Sequence, residues 1–401
     1  METEPSARTG RALTIGYFGS FLVFGMGVAS LGPALPALAG HTGSTPSGIS
    51  WLFTAVGAGY LLGSLASGIL FARLPGHWVL GAVLVLMSAM AALIPIAASL
   101  WLLALLFLFF GVAQGIVEVG CNTLLLWVHT DHPGPYMNAL HFFFGAGALL
   151  APAGIAMSTS ATGDLAWFYW LFALLVLPVA AWLLVLPSPV RSGRRDSKGW
   201  AAGSALLVAF AALFLFLYAG VEHSFAGWIP SYAQAMDVAG ASGGALFASA
   251  FWAAITAGRL LAVPASVRFK PQGIVTVALI GCLISVGAVL LWPGLAWVLW
   301  LGTLGLGLSL AAIVPTTLAL MGRRIGTTSQ ATALYFVGMG AGKMTVPRTI
   351  GQLFEGVGPE SLFVVLGLAL VAASGLFAIL CTIKAPTPGK APSTGPVTAR
   401  H

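Results

Sequence analysis

Charge is what this sequence has least of. Lys, Arg, Asp and Glu make up 7% of its 401 residues, against 59% hydrophobic ones. Soluble domains carry about 25% charged residues, so these few could not cover the surface of a soluble fold of this size. The mean hydropathy of +0.98 agrees, and the chain reads as a polytopic membrane protein. Other absences narrow the function. The three cysteines, Cys121, Cys282 and Cys381, each lie in an apolar run. They form neither a disulfide framework nor a metal-ligand spacing and read as small packing residues. No Gly-rich loop ends in Gly-Lys-Ser or Gly-Lys-Thr, so ATP is not the expected energy source. No Ser-His-Asp set or metal-ligand cluster is evident outside the apolar runs. Catalytic residues, a cofactor and an enzyme activity are therefore not expected. The net charge of +7 is not gathered into a basic patch with interleaved aromatics, which argues against a nucleic-acid partner.

What is present is a series of long apolar runs. A membrane helix needs roughly 20 such residues, and scanning on that basis predicts twelve spans, from 12–39 to 360–384. The run after Arg11 is too long for a signal-peptide core and reads as the first span. With the N-terminus placed in the cytoplasm, every Lys or Arg between spans falls on that side, at Arg73, Arg191, Arg194, Arg195, Lys198, Arg268, Lys270, Arg323 and Arg324. The opposite loops carry Asp164, Asp237 and Glu360 instead. The positive-inside rule then predicts a multi-pass protein of the cell (inner, cytoplasmic) membrane with both termini cytoplasmic.

The expected organisation is a cytoplasmic N-terminus over 1–11, a six-helix half over 12–187, a basic linker over 188–200, a second six-helix half over 201–384 and a tail over 385–401. The tail is rich in Pro, Ser and Thr and is expected to be disordered. The halves repeat one another. "GSLASGILFARL" lies against "GRLLAVPASVRF", matching Gly63 to Gly258 and Arg73 to Arg268. "ALHFFFGAGALLAP" lies against "ALYFVGMGAGKMTVP", and Pro36 matches Pro230. Two parallel repeats joined by a basic loop point to a secondary transporter whose halves rock about a midplane site. The 51 glycines suit helices that approach closely and slide.

With these motifs the whole chain resembles the major facilitator superfamily. "GILFARLPGH" sits where that family has a Gly-x-Leu-Ala-Asp-Arg-x-Gly-Arg-Lys type gating loop. Gly68 and Arg73 match it, with Arg268 as the repeat's counterpart. Ala72 stands in the Asp position, and Pro75, Gly76 and His77 replace its basic end. "GIVEVGCNTLLLW", "MNALHFFFGAGALLAP" and "GVEHSFAGWIPSYA" are similar to the sodium-dependent glucose transporter and fucose permease-like sugar branch. The resemblance implies an all-α fold of twelve transmembrane helices in two pseudo-symmetric halves. It further implies a monomer embedded in the lipid bilayer, alternating access, and symport of a small polar solute such as a sugar with H+ or Na+.

Polar residues inside the spans are the candidate site. Gln114, Glu118 and Asn122 recur every four residues and form one stripe on the fourth span. Lipid penalises such a face, so it should line a wet cavity, where Glu118 could load and release a coupling ion. The alternative is a neutral Glu that only holds helices together. Glu222, matching an acidic position of the branch, is the second ion-coupling candidate, while the adjacent His223 reads as a packed side chain. Asn138 and His141 share a face, and the resemblance places them near the sugar. Trp228 could stack on a sugar ring or anchor at the interface, and Gly227 with Pro230 suggests a bent or broken helix end.

Lys343 and Arg348 sit where the branch has apolar residues. Lys343 would pair with Glu118 or Glu222, contact an anionic substrate, or snorkel. Arg348 would pair with Glu355 or snorkel. A rival reading therefore keeps the fold but exports or exchanges an anionic or amphipathic molecule through Lys343 and Arg348. A non-transporting receptor or scaffold would need no Glu118.

Overall fold

In a bilayer every backbone N–H and C=O must find its partner within the protein, and a helix does this within one segment. The computed structural model, which describes residues 7–130, 133–189, 204–239, 243–325 and 329–383, is accordingly helical. The helices are α1 (Ala7–Thr42), α2 (Pro46–Ile49), α3 (Trp51–Arg73), α4 (Gly76–Leu93), α5 (Leu100–Val128), α6 (Pro133–Thr162) and α7 (Ala166–Val185). They continue with α8 (Ala205–Ala235), α9 (Gly243–Arg268), α10 (Pro271–Leu291), α11 (Ala296–Leu310), α12 (Ile313–Ile325), α13 (Ser329–Gly356) and α14 (Ser361–Thr382). Most of the linker and the tail lie outside the described residues.

Among the described residues, eleven stretches are long and apolar enough to cross a membrane by themselves. The twelfth span is α13, which carries Lys343, Arg348 and Glu355. It packs against α3 and α8, one from each half, which gives those charges protein neighbours instead of lipid.

Two helices depart from expectation. The tenth span is not continuous: α11 and α12 are separated at Ala311 and Ala312. Pro315 explains the interruption, because it has no N–H to return to the Ala311 carbonyl. Conversely, α8 runs unbroken through Gly227 and Pro230 to Ala235. Its packing on α13, α14, α9 and α1 holds that turn in place.

The repeat is visible in the packing. In the first half α1 pairs with α6, α3 with α5 and α4 with α7. In the second, α8 pairs with α13, α9 with α11 and α10 with α14, the same scheme in the same order. Glycines set the closest of these approaches. A Cβ on Gly59 would meet the Leu108 carbonyl at 1.9 Å, and one on Gly111 would meet that of Val56 at 2.1 Å, so α3 and α5 interlock reciprocally. Gly147 on α6 would meet the Leu22 carbonyl at 1.9 Å, and its repeat partner Gly342 on α13 the Phe216 carbonyl at 2.0 Å.

Backbone cannot retreat as a flexible side chain can. Gly147→Leu therefore forces α1 and α6 apart and should cost about 3 kcal/mol or more. Size-exclusion of the detergent-solubilised variant should show loss of the monodisperse peak. Gly68→Leu, with nothing near its Cβ position, is the control and should leave the peak unchanged.

The outward surface is apolar, with Trp78, Trp101, Trp167, Trp170 and Trp297 exposed. In a soluble protein this would drive aggregation, whereas in a bilayer it is the lipid contact. Cys121 and Cys282 are buried as packing residues, and Cys381 is exposed.

Candidate functional site

Helices α3 and α13, α6 and α9, and α1 and α8 form the seam between the halves. A central cavity opens along it, with Gly27, Gly57, Tyr60, Gln114, His223, Trp252 and Lys343 on its walls. Its polar groups thus come from α3 and α5 of the first half and from α8, α9 and α13 of the second. Gln114 is buried at 4% exposure. The Lys343 ammonium lies over the Tyr60 ring, 4.1 Å from its centroid. The Trp252 indole N–H is buried with no hydrogen-bond partner, an unused donor on a cavity-lining residue.

One turn beyond Gln114, Glu118 is half-buried. Tyr60 lies against it, with Ser64 adjoining. One carboxylate oxygen of Glu118 and the Ser64 hydroxyl are buried without hydrogen-bond partners. Glu222 is buried, accepting from the Tyr218 hydroxyl at 3.0 Å, with His223 Nδ1 at 3.6 Å. It also lies in the field of Arg259, Lys343 and Glu118. One acid from each half and two bases of the second half therefore converge on the middle of the bundle.

The stripe of polar residues on α5 divides on inspection. Gln114 reaches the cavity wall, whereas the Asn122 amide donates 2.7 Å to the Glu118 backbone carbonyl within its own helix. Trp228 is placed elsewhere than expected. It is 1% exposed, its N–H donates 2.9 Å to the Pro347 carbonyl, and its ring stacks on Phe354 at 5.2 Å. Phe53 of the first half lies against it at 5.9 Å, and Trp228 is not among the residues on the central cavity wall. Asn138 is exposed on α6. His141 is half-buried, edge-on to Phe21 at 5.5 Å and near Arg259. Neither lies on the central cavity wall. Gly68 has open space around it, and Arg73 and Arg268 are exposed without ion pairs among the described residues.

His223, read from sequence as a packed residue, lines the cavity. Tyr60 and Trp252 carry more of the site than sequence suggested. The signal for Tyr60 was the stripe Gly57, Tyr60, Ser64, small and polar at helical spacing.

The bases of α13 correct two expectations. Lys343 makes no ion pair within 4.0 Å among the described residues, and its partner is the Tyr60 ring. Arg348 neither pairs with Glu355 nor snorkels. Its Nη1 donates to the Ser47 carbonyl at 2.7 Å and to Ser50 Oγ at 2.6 Å, with the guanidinium 4.4 Å from the Trp51 ring centroid. Glu355 Oε2 accepts from the Ser47 N–H at 3.0 Å. The short helix α2 is thus held at both ends by α13, a carboxylate on its free N–H groups and a guanidinium on its carbonyl side. The Ser249 hydroxyl, donating to the Leu149 carbonyl at 3.1 Å, also joins the halves. These contacts lie at mid-depth or toward the α2 end.

This architecture matches known proteins. The family model of the Major Facilitator Superfamily matches residues 14–333. The chain belongs to the Major Facilitator Superfamily. Within it, the chain is 29% identical over 397 residues to sodium-dependent glucose transporter 1A of Mus musculus, covering 89% of this chain and 93% of that one. It is 25% identical over 467 residues to major facilitator superfamily domain-containing protein 4A of Pongo abelii, covering 92% and 91%. Among solved structures, the nucleoside transporter NupG superposes with a TM-score of 0.75 at 14% identity, covering 94% of this chain and all (100%) of that one. A bacterial homolog of the human lysosomal transporter Spinster, inward-facing and unoccupied, superposes with a TM-score of 0.70 at 11% identity, covering 94% and 96%. By family and fold the chain is a multi-pass membrane transporter and not an enzyme.

Proposed function

We propose that this superfamily member is a secondary active transporter that moves a small polar solute of the sugar type by alternating access, coupled to H+ or Na+. One observation carries the reading: a cavity at the seam of the two halves whose largely apolar wall carries Gln114, Tyr60, His223, Trp252 and Lys343. Hydroxyl-rich solutes need donors and acceptors set in an otherwise apolar wall. Gln114 offers both, and Trp252 has a free donor. The mouse relative's name, sodium-dependent glucose transporter 1A, supports the solute class. The Lys and Arg bias between spans supports cytoplasmic termini. In that orientation the α2 latch closes the outer face, and the molecule faces inward. Glu118 and Glu222 are the ion-coupling pair.

Lys343 on the cavity wall without a carboxylate partner favours a second reading, in which the solute is anionic. One experiment separates the two. The purified protein is placed in liposomes with pH and sodium gradients imposed separately, and uptake of labelled neutral sugars and sugar acids is followed. The first reading expects neutral-sugar uptake driven by a gradient. Uptake confined to the acids moves the assignment to the second, and no flux of either class refutes both.

A further inference from the structure

The two carboxylates at the middle of the bundle are not left as uncompensated anions. Lys343 of α13 stands on the cavity wall, its Nζ 4.1 Å from the centre of the Tyr60 ring, and Tyr60 in turn lies against Glu118. Glu222 lies in the field of both Lys343 and Arg259. The other titratable groups around this cluster are Tyr218 and His223 on α8 and His141 on α6. With both acids ionised, their charges cancel against Lys343 and Arg259. Lys343 is not locked in an ion pair: among the described residues it has no carboxylate within 4.0 Å. Its ammonium sits on an aromatic face, as a bound cation would.

A hard cation needs several oxygen ligands and an excess of negative charge. An ammonium roughly 5 Å from an incoming ion, at an effective dielectric of about 20, lowers that ion's affinity on the order of 100-fold.

We infer that Lys343 is a tethered cation occupying the place of a coupling sodium, so that this chain moves its solute without sodium. The inference rests on the proposed transport reading and narrows its coupling ion to the proton. Lys343 belongs to the second half, whereas its aromatic seat and Glu118 belong to the first. Rocking of the halves therefore lifts the ammonium from Tyr60 and uncovers Glu118, as dissociation of a bound ion would.

The test needs no knowledge of the solute. Thermal unfolding of the detergent-solubilised full chain is followed by tryptophan fluorescence in NaCl and in choline chloride at equal ionic strength. A ligand that binds the folded state raises Tm with saturable concentration dependence. Wild type should melt identically in both salts. Lys343→Met, which keeps the length and removes the charge, should gain a sodium-specific, saturable rise. Should that variant fail to fold, Lys343→Gln serves in its place. A saturable sodium effect on wild type overturns the inference. So does a folded Lys343→Met or Lys343→Gln that ignores sodium, because the lysine would then not fill a cation seat.

In liposomes, wild-type uptake should agree within about 2-fold between sodium and choline media, whereas a chain needing sodium would lose roughly 10-fold or more in choline. Absence of solute flux in both media fails the transport reading itself, while the melting comparison still decides the role of Lys343.

Discussion

Glu118→Gln should abolish gradient-driven accumulation of solute while leaving solute exchange intact. The substitution keeps the size and shape of the side chain and removes only its ability to carry a proton. One positive charge driven through about 100 mV is worth about 2.3 kcal/mol, which sustains roughly 50-fold accumulation. The variant's accumulation should fall to about 1-fold, because its cycle moves no charge with the solute. Exchange needs only the rocking of loaded halves and should proceed at a rate near wild type. The orphaned carboxylate oxygen beside Tyr60 makes this residue the natural carrier, since an atom without a fixed partner can gain a proton without breaking a bond. Counterflow and gradient-driven uptake in the same liposomes measure both quantities. Retained accumulation would sink the coupling role. Loss of exchange as well would make Glu118 a structural or solute-contacting residue.

Arg348→Ala should open the α2 end. It deletes two charge-assisted hydrogen bonds, to the Ser47 carbonyl and Ser50 Oγ, and a stacking contact on Trp51. Each such hydrogen bond is worth about 1.5–3 kcal/mol at most, and partial exposure reduces this. A net loss of roughly 2–4 kcal/mol shifts a two-state equilibrium roughly 30- to 800-fold away from the latched form. Ala29→Cys, on the cavity wall, is a reporter in a background with Cys121, Cys282 and Cys381 replaced. An impermeant thiol reagent added from the α2 side should leave it unlabelled in the latched protein and label it after Arg348→Ala. Unchanged labelling would show that the latch does not hold the gate. Glu355→Gln should act in the same direction and more weakly, since it keeps an acceptor for the Ser47 N–H.

Much of this architecture was legible in the residues. Apolar run length predicted the spans, and the match of Gly63 to Gly258 predicted two repeated halves, because both follow from local composition and backbone geometry. The seam was less legible. Helical period tells which residues share a face, so Gln114 and Glu118 were found together. It does not say that Asn122, on the same stripe, would turn its amide back on its own helix. The placement of Trp228 was hidden for a similar reason: an amphipathic ring with one donor suits a sugar or a carbonyl equally, and the carbonyl of Pro347 was invisible at that distance in sequence. Lys343 and Arg348 were recognised as out of place in a span. Their partners, Tyr60 and the ends of α2, lie in the other half, and no short-range pattern links them. The split of α11 from α12 was foreshadowed by Pro315, which an apolar scan does not weigh.

That split makes the two halves mechanically unlike. Gly115 on α5 corresponds to Gly307 on α11, and this register puts Leu310 opposite Glu118, immediately before the interruption. One lever is therefore a stiff rod of 29 residues bearing the charge. The other is a jointed arm with no acid at that position; its last segment, α12, is only 13 residues long and carries its charges, Arg323 and Arg324, in its final turn. Torsion at Ala311 and Ala312 can swing α12 without disturbing the acid across the cavity. The joint lies in the half that lacks the matching acid, so bending there need not retune Glu118.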